Sequence, residues 1–116
     1  MTKSTTKIDP VKSSVSHILI VDDDSSLLKF FKIHLNRFYP HIIVVDSARQ
    51  AFLKMKEFEI ELIITDYMMP KVNGLELSQK LKSSYPKIPV LMVSGAMLSH
   101  DEVNQIKDTV DGFLKN

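Results

Sequence analysis

Short apolar runs alternate along the chain with longer stretches whose hydrophobic residues recur at helical spacing. The runs are ILIV (18–21), IIVV (42–45), LIIT (62–65), VLMV (90–93) and the weaker GFLK (112–115), each about the length of one strand. They are continuous rather than alternating, the pattern of strands buried on both faces, as in a parallel sheet with helices above and below. Their valine and isoleucine content favours strand over short helix. Between them, Leu27, Leu28, Phe31, Leu35 and Phe38 mark one side of a first helix, with Ser25 or Ser26 placed to cap its start. Ala48, Ala51, Phe52, Met55 and Phe58 mark a second; Leu77, Leu81 and Tyr85 a third, ended by Pro86; Val103, Ile106 and Val110 a fourth. These stripes are read as core packing. Five strands joined by four helices predict an α/β protein built on an open, doubly wound parallel sheet.

In such sheets ligands sit beyond the carboxyl ends of the strands, at the point where strand order reverses. Asp22, Asp23 and Asp24 directly follow the first run, Asp66 follows the third, and Ser94 with Gly95 follows the fourth. With the first and third strands adjacent, Asp22 and Asp23 face Asp66, and carboxylates so close repel one another unless one keeps its proton or a cation joins them. Magnesium suits the purpose, because it takes hard oxygen ligands and leaves positions for water or phosphate oxygens. A carboxylate beside such an ion can attack an incoming phosphoryl group and become an aspartyl phosphate.

Composition narrows the remaining classes. At 116 residues, with 44% hydrophobic and 25% charged residues, the chain is expected to be one domain. A formal charge of +1 with dispersed lysines gives no reason to expect nucleic-acid binding by this domain alone or attraction to an anionic membrane. The absence of cysteine removes thiolate chemistry and disulfides, and no apolar stretch approaches a membrane span, so the expected location is cytoplasmic. Residues 1–16, rich in Ser, Thr and Lys and without a signal-peptide core, read as a flexible tail before a domain at 17–116. His17, His34, His41 and His100 are far apart without ligand spacing and are expected on the surface.

The segments ILIVDDDSSLL, LIITDYMMPKVNGLEL and PVLMVSGA, in this order and each at a strand end, resemble the receiver domain of bacterial two-component response regulators, from about His17 onward. The resemblance implies a flavodoxin-like sheet of order 2-1-3-4-5. It also implies that Asp66 is the phosphoacceptor, charged by a histidine kinase or phosphotransfer protein. Asp23 matches the direct Mg2+ ligand, Asp22 the acid that holds the ion through water, and Met68 the residue whose backbone carbonyl completes the coordination. Ser94 matches the switch hydroxyl and Phe113 the switch aromatic, while Pro70 and Gly74 shape the loop after the acceptor. Asp24 is expected to be a solvated or helix-capping acid. Met68 and Ala96, at the family's variable positions, carry no group to orient an attacking water, which implies slow loss of phosphate.

Two departures stand out. The lysine that receivers place three residues after the aromatic falls here on Asn116, and Lys115, one residue early, is expected to point away from the site. The chain also stops where a fifth helix is usual, which predicts an apolar patch on strands three to five, on the first helix's side. Truncation, homodimerisation through that face, or cover by the tail would account for it. A degenerate receiver acting as a phosphorylation-independent interaction module is therefore the competing reading, ahead of an enzyme with aspartyl-phosphate chemistry on a small substrate.

Overall fold

The computed structural model describes residues 15–35, 37–38, 41–69, 73–95 and 97–115. Along them run β1 (Ser16–Val21), α1 (Ser25–Leu35), β2 (Ile42–Val45), α2 (Ala48–Glu57), β3 (Glu59–Asp66), α3 (Gly74–Ser84), β4 (Val90–Ser94), α4 (His100–Thr109) and β5 (Gly112–Lys115). The strands form one sheet of order β2-β1-β3-β4-β5, and every described pairing is parallel. This is the expected flavodoxin-like arrangement, with the order reversing beside β1 and β3.

The continuous apolar runs divide between two cores because successive strand residues face opposite sides. Leu19 and Val21 of β1, Ile63 of β3 and Met92 of β4 join Ala51, Met55, Leu77, Leu81 and Ile106 in the larger core under α2, α3 and α4. Ile18, Ile20, Ile42 and Ile64 meet Leu28 and Leu35 of α1 in the smaller one. On that second side Leu91 and Val93 are half-buried, and Leu114 at the outer strand is 57% exposed. Among the described residues, no helix is packed on β5 from that side.

Several expected boundaries shift. β1 begins at Ser16, paired with Glu59, so this residue of the expected tail belongs to the sheet; residues 1–14 of that tail lie outside the described residues. The first helix starts at Ser25, which leaves Asp24 rather than a serine in the capping position, its carbonyl accepting from Leu28 N at 2.9 Å. It also ends at Leu35. Phe38 closes a tight turn onto the Leu35 carbonyl and stands 74% exposed, because the chain must reverse within a few residues to enter β2. Phe58 caps α2 instead of continuing it.

His34, His41 and His100 are exposed and His17 is half-buried, and two of the four meet. β1 and β2 start side by side, with Ile18 N donating to the His41 carbonyl, and this brings the His17 and His41 rings to 5.3 Å between centroids. His17 also packs on Phe58 at 4.9 Å. Further along the same amino-terminal edge, Lys82 of α3 donates to the carbonyls of Pro86 and Ile88 and to Asp111 Oδ2 at 2.9 Å. Asp111 in turn accepts from Val90 N at 2.8 Å, so one ion pair ties α3, β4 and the approach to β5.

Candidate functional site

At the opposite edge, β1 delivers Asp22 and Asp23, and β3 ends on Asp66. Asp22 keeps strand geometry for one more bond, donating its N–H to the Val45 carbonyl at 3.1 Å, and is 2% exposed. Its Oδ1 accepts from Asp24 N at 2.9 Å, which turns the chain outward and leaves Asp23 exposed at the rim. One carboxylate oxygen from each of Asp22, Asp23 and Asp66 lies within 4.8 Å of the other two. Asp24 contributes to that turn but is not one of the three.

The electrostatics of the group are unfavourable by themselves. Burial pushes the Asp22 carboxyl up to about 6, with the charges of Asp66, Asp23 and Asp24 adding to it and the Asp24 N–H opposing. Asp66 is likewise raised, first by burial and then by Asp23 and Asp24, against the pull of the Tyr67 and Met68 backbone N–H groups. Three hard oxygens held together against their own repulsion are a donor set suited to a small divalent cation.

The other residues singled out in the sequence are placed as follows. Ser94 is the last residue of β4, 1% exposed, one rung beyond the Asp66–Val93 pair. Phe113 is half-buried against the larger core and pairs with Met92. Met68 follows in the loop with its side chain 58% exposed. Lys115 is exposed on the last rung of β5 opposite Ser94, and among the described residues it forms no ion pair with the rim carboxylates. Gly74 opens α3 against the end of β3: a Cβ there would stand 2.0 Å from the Asp66 carbonyl oxygen, so the close approach requires glycine. Pro70, Ala96 and Asn116 lie outside the described residues.

Two residues not singled out complete the surroundings. The Tyr67 hydroxyl donates to Glu102 Oε2 at 3.1 Å, and Glu102 Oε1 accepts from Ser99 N at 2.8 Å to close a capping box at the start of α4. The Ser-x-x-Glu spacing was a signal for the cap. Nothing local signals a tyrosine partner 35 positions away.

Residues 18–115 match the model of the response regulator receiver domain. The chain belongs to this family. Receivers among its relatives include the heme response regulator HssR of Staphylococcus saprophyticus, 36% identical over 84% of this chain and 43% of that protein. The putative two-component response regulator ARR21 of Arabidopsis thaliana is 34% identical over 74% of this chain and 14% of its own length. The chain thus spans less than half the length of either. Among solved structures, the response regulator TrrA of Thermotoga maritima in complex with Mg2+ and BeF superposes with a TM-score of 0.76 at 21% identity, covering 88% of this chain and 87% of that one. The receiver shares its fold. No helix among the described residues is long and apolar enough to cross a membrane.

Proposed function

We propose that this receiver is a phosphorylation-dependent switch in which Asp66 accepts a phosphoryl group from the phosphohistidine of a histidine kinase or phosphotransfer protein. The observation that carries the reading is the convergence of Asp22, Asp23 and Asp66 from two strand ends within 4.8 Å, beside the buried Ser94. In the transfer, an Asp66 oxygen bonds to phosphorus while the phosphorus–nitrogen bond breaks, its electron pair staying on the imidazole. Asp23, Asp66 and the Met68 carbonyl would hold Mg2+ directly and Asp22 would act on it through water, and the ion would supply charge that neutralises the phosphoryl oxygens. Asp22, being buried, holds the turn through Asp24 N rather than reaching outward. Ser94 offers a hydroxyl to a phosphoryl oxygen, and Phe113, only half-buried, is free to follow it, so that the surface of α4 and β5 changes its partner preference. With only thioether and methyl groups at Met68 and Ala96, the phosphoryl group is expected to outlive a scale of seconds.

The test is incubation of the chain with Mg2+ and a small phosphodonor, followed by intact-mass measurement. A single phosphoryl adduct that disappears in Asp66→Asn supports the reading. No adduct, under conditions where a typical receiver reacts, supports the phosphorylation-independent module instead. That second reading is favoured by Asn116 standing where receivers usually carry a lysine, and by Lys115, which among the described residues makes no ion pair with the rim carboxylates. The apolar side of β4 and β5, with Leu114 outermost, is proposed as a homodimer contact in either case, and a strictly monomeric scattering profile across a concentration series would remove it.

A further inference from the structure

Tyr67 is held on both sides of its ring and adjoins Asp66 in the chain. Its carbonyl accepts from Gly74 N at 2.6 Å where α3 begins, its hydroxyl donates to Glu102 in the first turn of α4, and its N–H helps to pull the Asp66 carboxyl down. The ring between these points is 7% exposed and packed in the larger core, so a change of backbone direction at residue 67 is transmitted to the hydroxyl rather than absorbed by rotation. Glu102 is equally committed, one carboxylate oxygen closing the capping box on Ser99 and the other receiving Tyr67. The start of α4 is therefore tied to the rim twice, through the short segment that follows Ser94 and through the Tyr67 side chain.

We propose that Tyr67 is a positioning residue that couples the state of Asp66 to α4 and holds the helix in its unphosphorylated position through Glu102. The inference rests on the reading of Asp66 as the phosphoacceptor. When an Asp66 oxygen becomes the bridging oxygen of an acyl phosphate it loses charge and accepts poorly, so the N–H groups of Tyr67 and Met68 must re-aim. The phenol swings with the backbone and leaves Glu102, and α4 is released at its capped end. Because coupling is reciprocal, removing the hydroxyl must also make the activated state easier to reach.

The experiment uses Mg2+ with beryllium fluoride as a phosphoryl mimic and follows the backbone amide signals of Val103 and Ile106 by NMR, in wild type, Tyr67→Phe and Glu102→Gln. In Tyr67→Phe the unliganded α4 signals are expected to move toward their activated positions. The fluoride concentration for half-response is expected to fall by about threefold to tenfold, the range a single hydrogen bond supplies. Glu102→Gln keeps an oxygen for the cap and leaves the phenol only a neutral amide, so it shifts the same way by a smaller factor, and the double variant adds little to Tyr67→Phe. A half-response unchanged in both variants, with only the melting temperature lowered, would reduce the contact to a structural one and overturn the inference. If Tyr67→Phe fails to fold, Glu102→Gln alone decides. Should wild type give neither a phosphoryl adduct nor any response, the Asp66 reading falls and takes this one with it; an adduct with unchanged variants sinks the coupling alone.

Discussion

The two edges of one sheet treat the same side chain in opposite ways. At the amino-terminal edge Asp111 is half-exposed, faces Lys82 at 2.9 Å and caps Val90 N, and its carboxyl is held below the usual range by that pairing. At the carboxyl-terminal rim Asp22 is almost fully buried with no cation among the described residues, and its carboxyl is driven up to about 6. The contrast separates acids that stabilise the fold from acids that the fold tolerates. Strand direction decides which is which: in a parallel sheet all carboxyl ends open on one rim, so acids recruited from separate strands meet there and nowhere else.

The largest expected effect lies under the rim itself. In Gly74→Ala a helix former replaces glycine, worth up to about 1 kcal/mol in an unobstructed helix. Here the added methyl meets the Asp66 carbonyl, which is backbone and cannot yield, so a net loss of about 3 kcal/mol is expected by urea denaturation. Retention of wild-type stability would show that β3 and α3 are not locked together, and the rim would lose its rigid floor.

Next comes the charge on Asp22. The folded chain holds this proton more tightly than the unfolded one, so its contribution is most favourable below 3.8 and is lost as the pH rises through about 6. In metal-free protein near neutral pH, Asp22→Asn is therefore expected to gain up to about 3 kcal/mol, at roughly 1.4 kcal/mol per pKa unit, while keeping an oxygen for Asp24 N. The gain should shrink as the pH falls below 6, and saturating Mg2+ should reverse its sign by stabilising wild type selectively. Thermal melts with and without the ion read both effects. A variant no more stable than wild type in the absence of metal would contradict the picture of a repulsive rim.

Asp111 should respond in the opposite sense. Its contribution is present above 3.8 and fades as the pH falls toward its lowered value. Asp111→Ala removes the partner of Lys82 and the acceptor of Val90 N together, with an expected loss of about 1–2 kcal/mol near neutral pH, most of it from the backbone bond, because the ion pair is partly solvated. Measuring both aspartate variants in one denaturation series gives the cleanest reading, since the signs differ.

The same asymmetry explains what could be read from the sequence. The five strands and their parallel arrangement followed from continuous apolar runs, because period is a local property; the strand order, and with it the meeting of Asp22, Asp23 and Asp66, followed from the resemblance to receivers. The His17–His41 contact and the Lys82–Asp111 tie did not follow: each depends on which strand beginnings lie side by side, and no pattern within either segment encodes it. The spacing of Phe38 is helical, but the need to turn toward β2 overrides the period. Tyr67, beside Asp66, carries no local sign of its role, since its partner Glu102 comes from α4.

The smallest effect calibrates the rest. Ser78 is fully buried in α3, and its hydroxyl is the only buried side-chain oxygen or nitrogen without a hydrogen-bond partner among the described residues. Like Asp22 it is polar and out of water, but it carries no charge. Ser78→Ala leaves the helix intact and removes an unsatisfied group, so it should gain between zero and about 1 kcal/mol, independent of pH and of Mg2+. A gain in Asp22→Asn that exceeds this one and vanishes with the metal would assign the cost at the rim to charge; equal, metal-independent gains would assign it to the burial of polar atoms alone, and the rim would differ from the rest of the core only in degree.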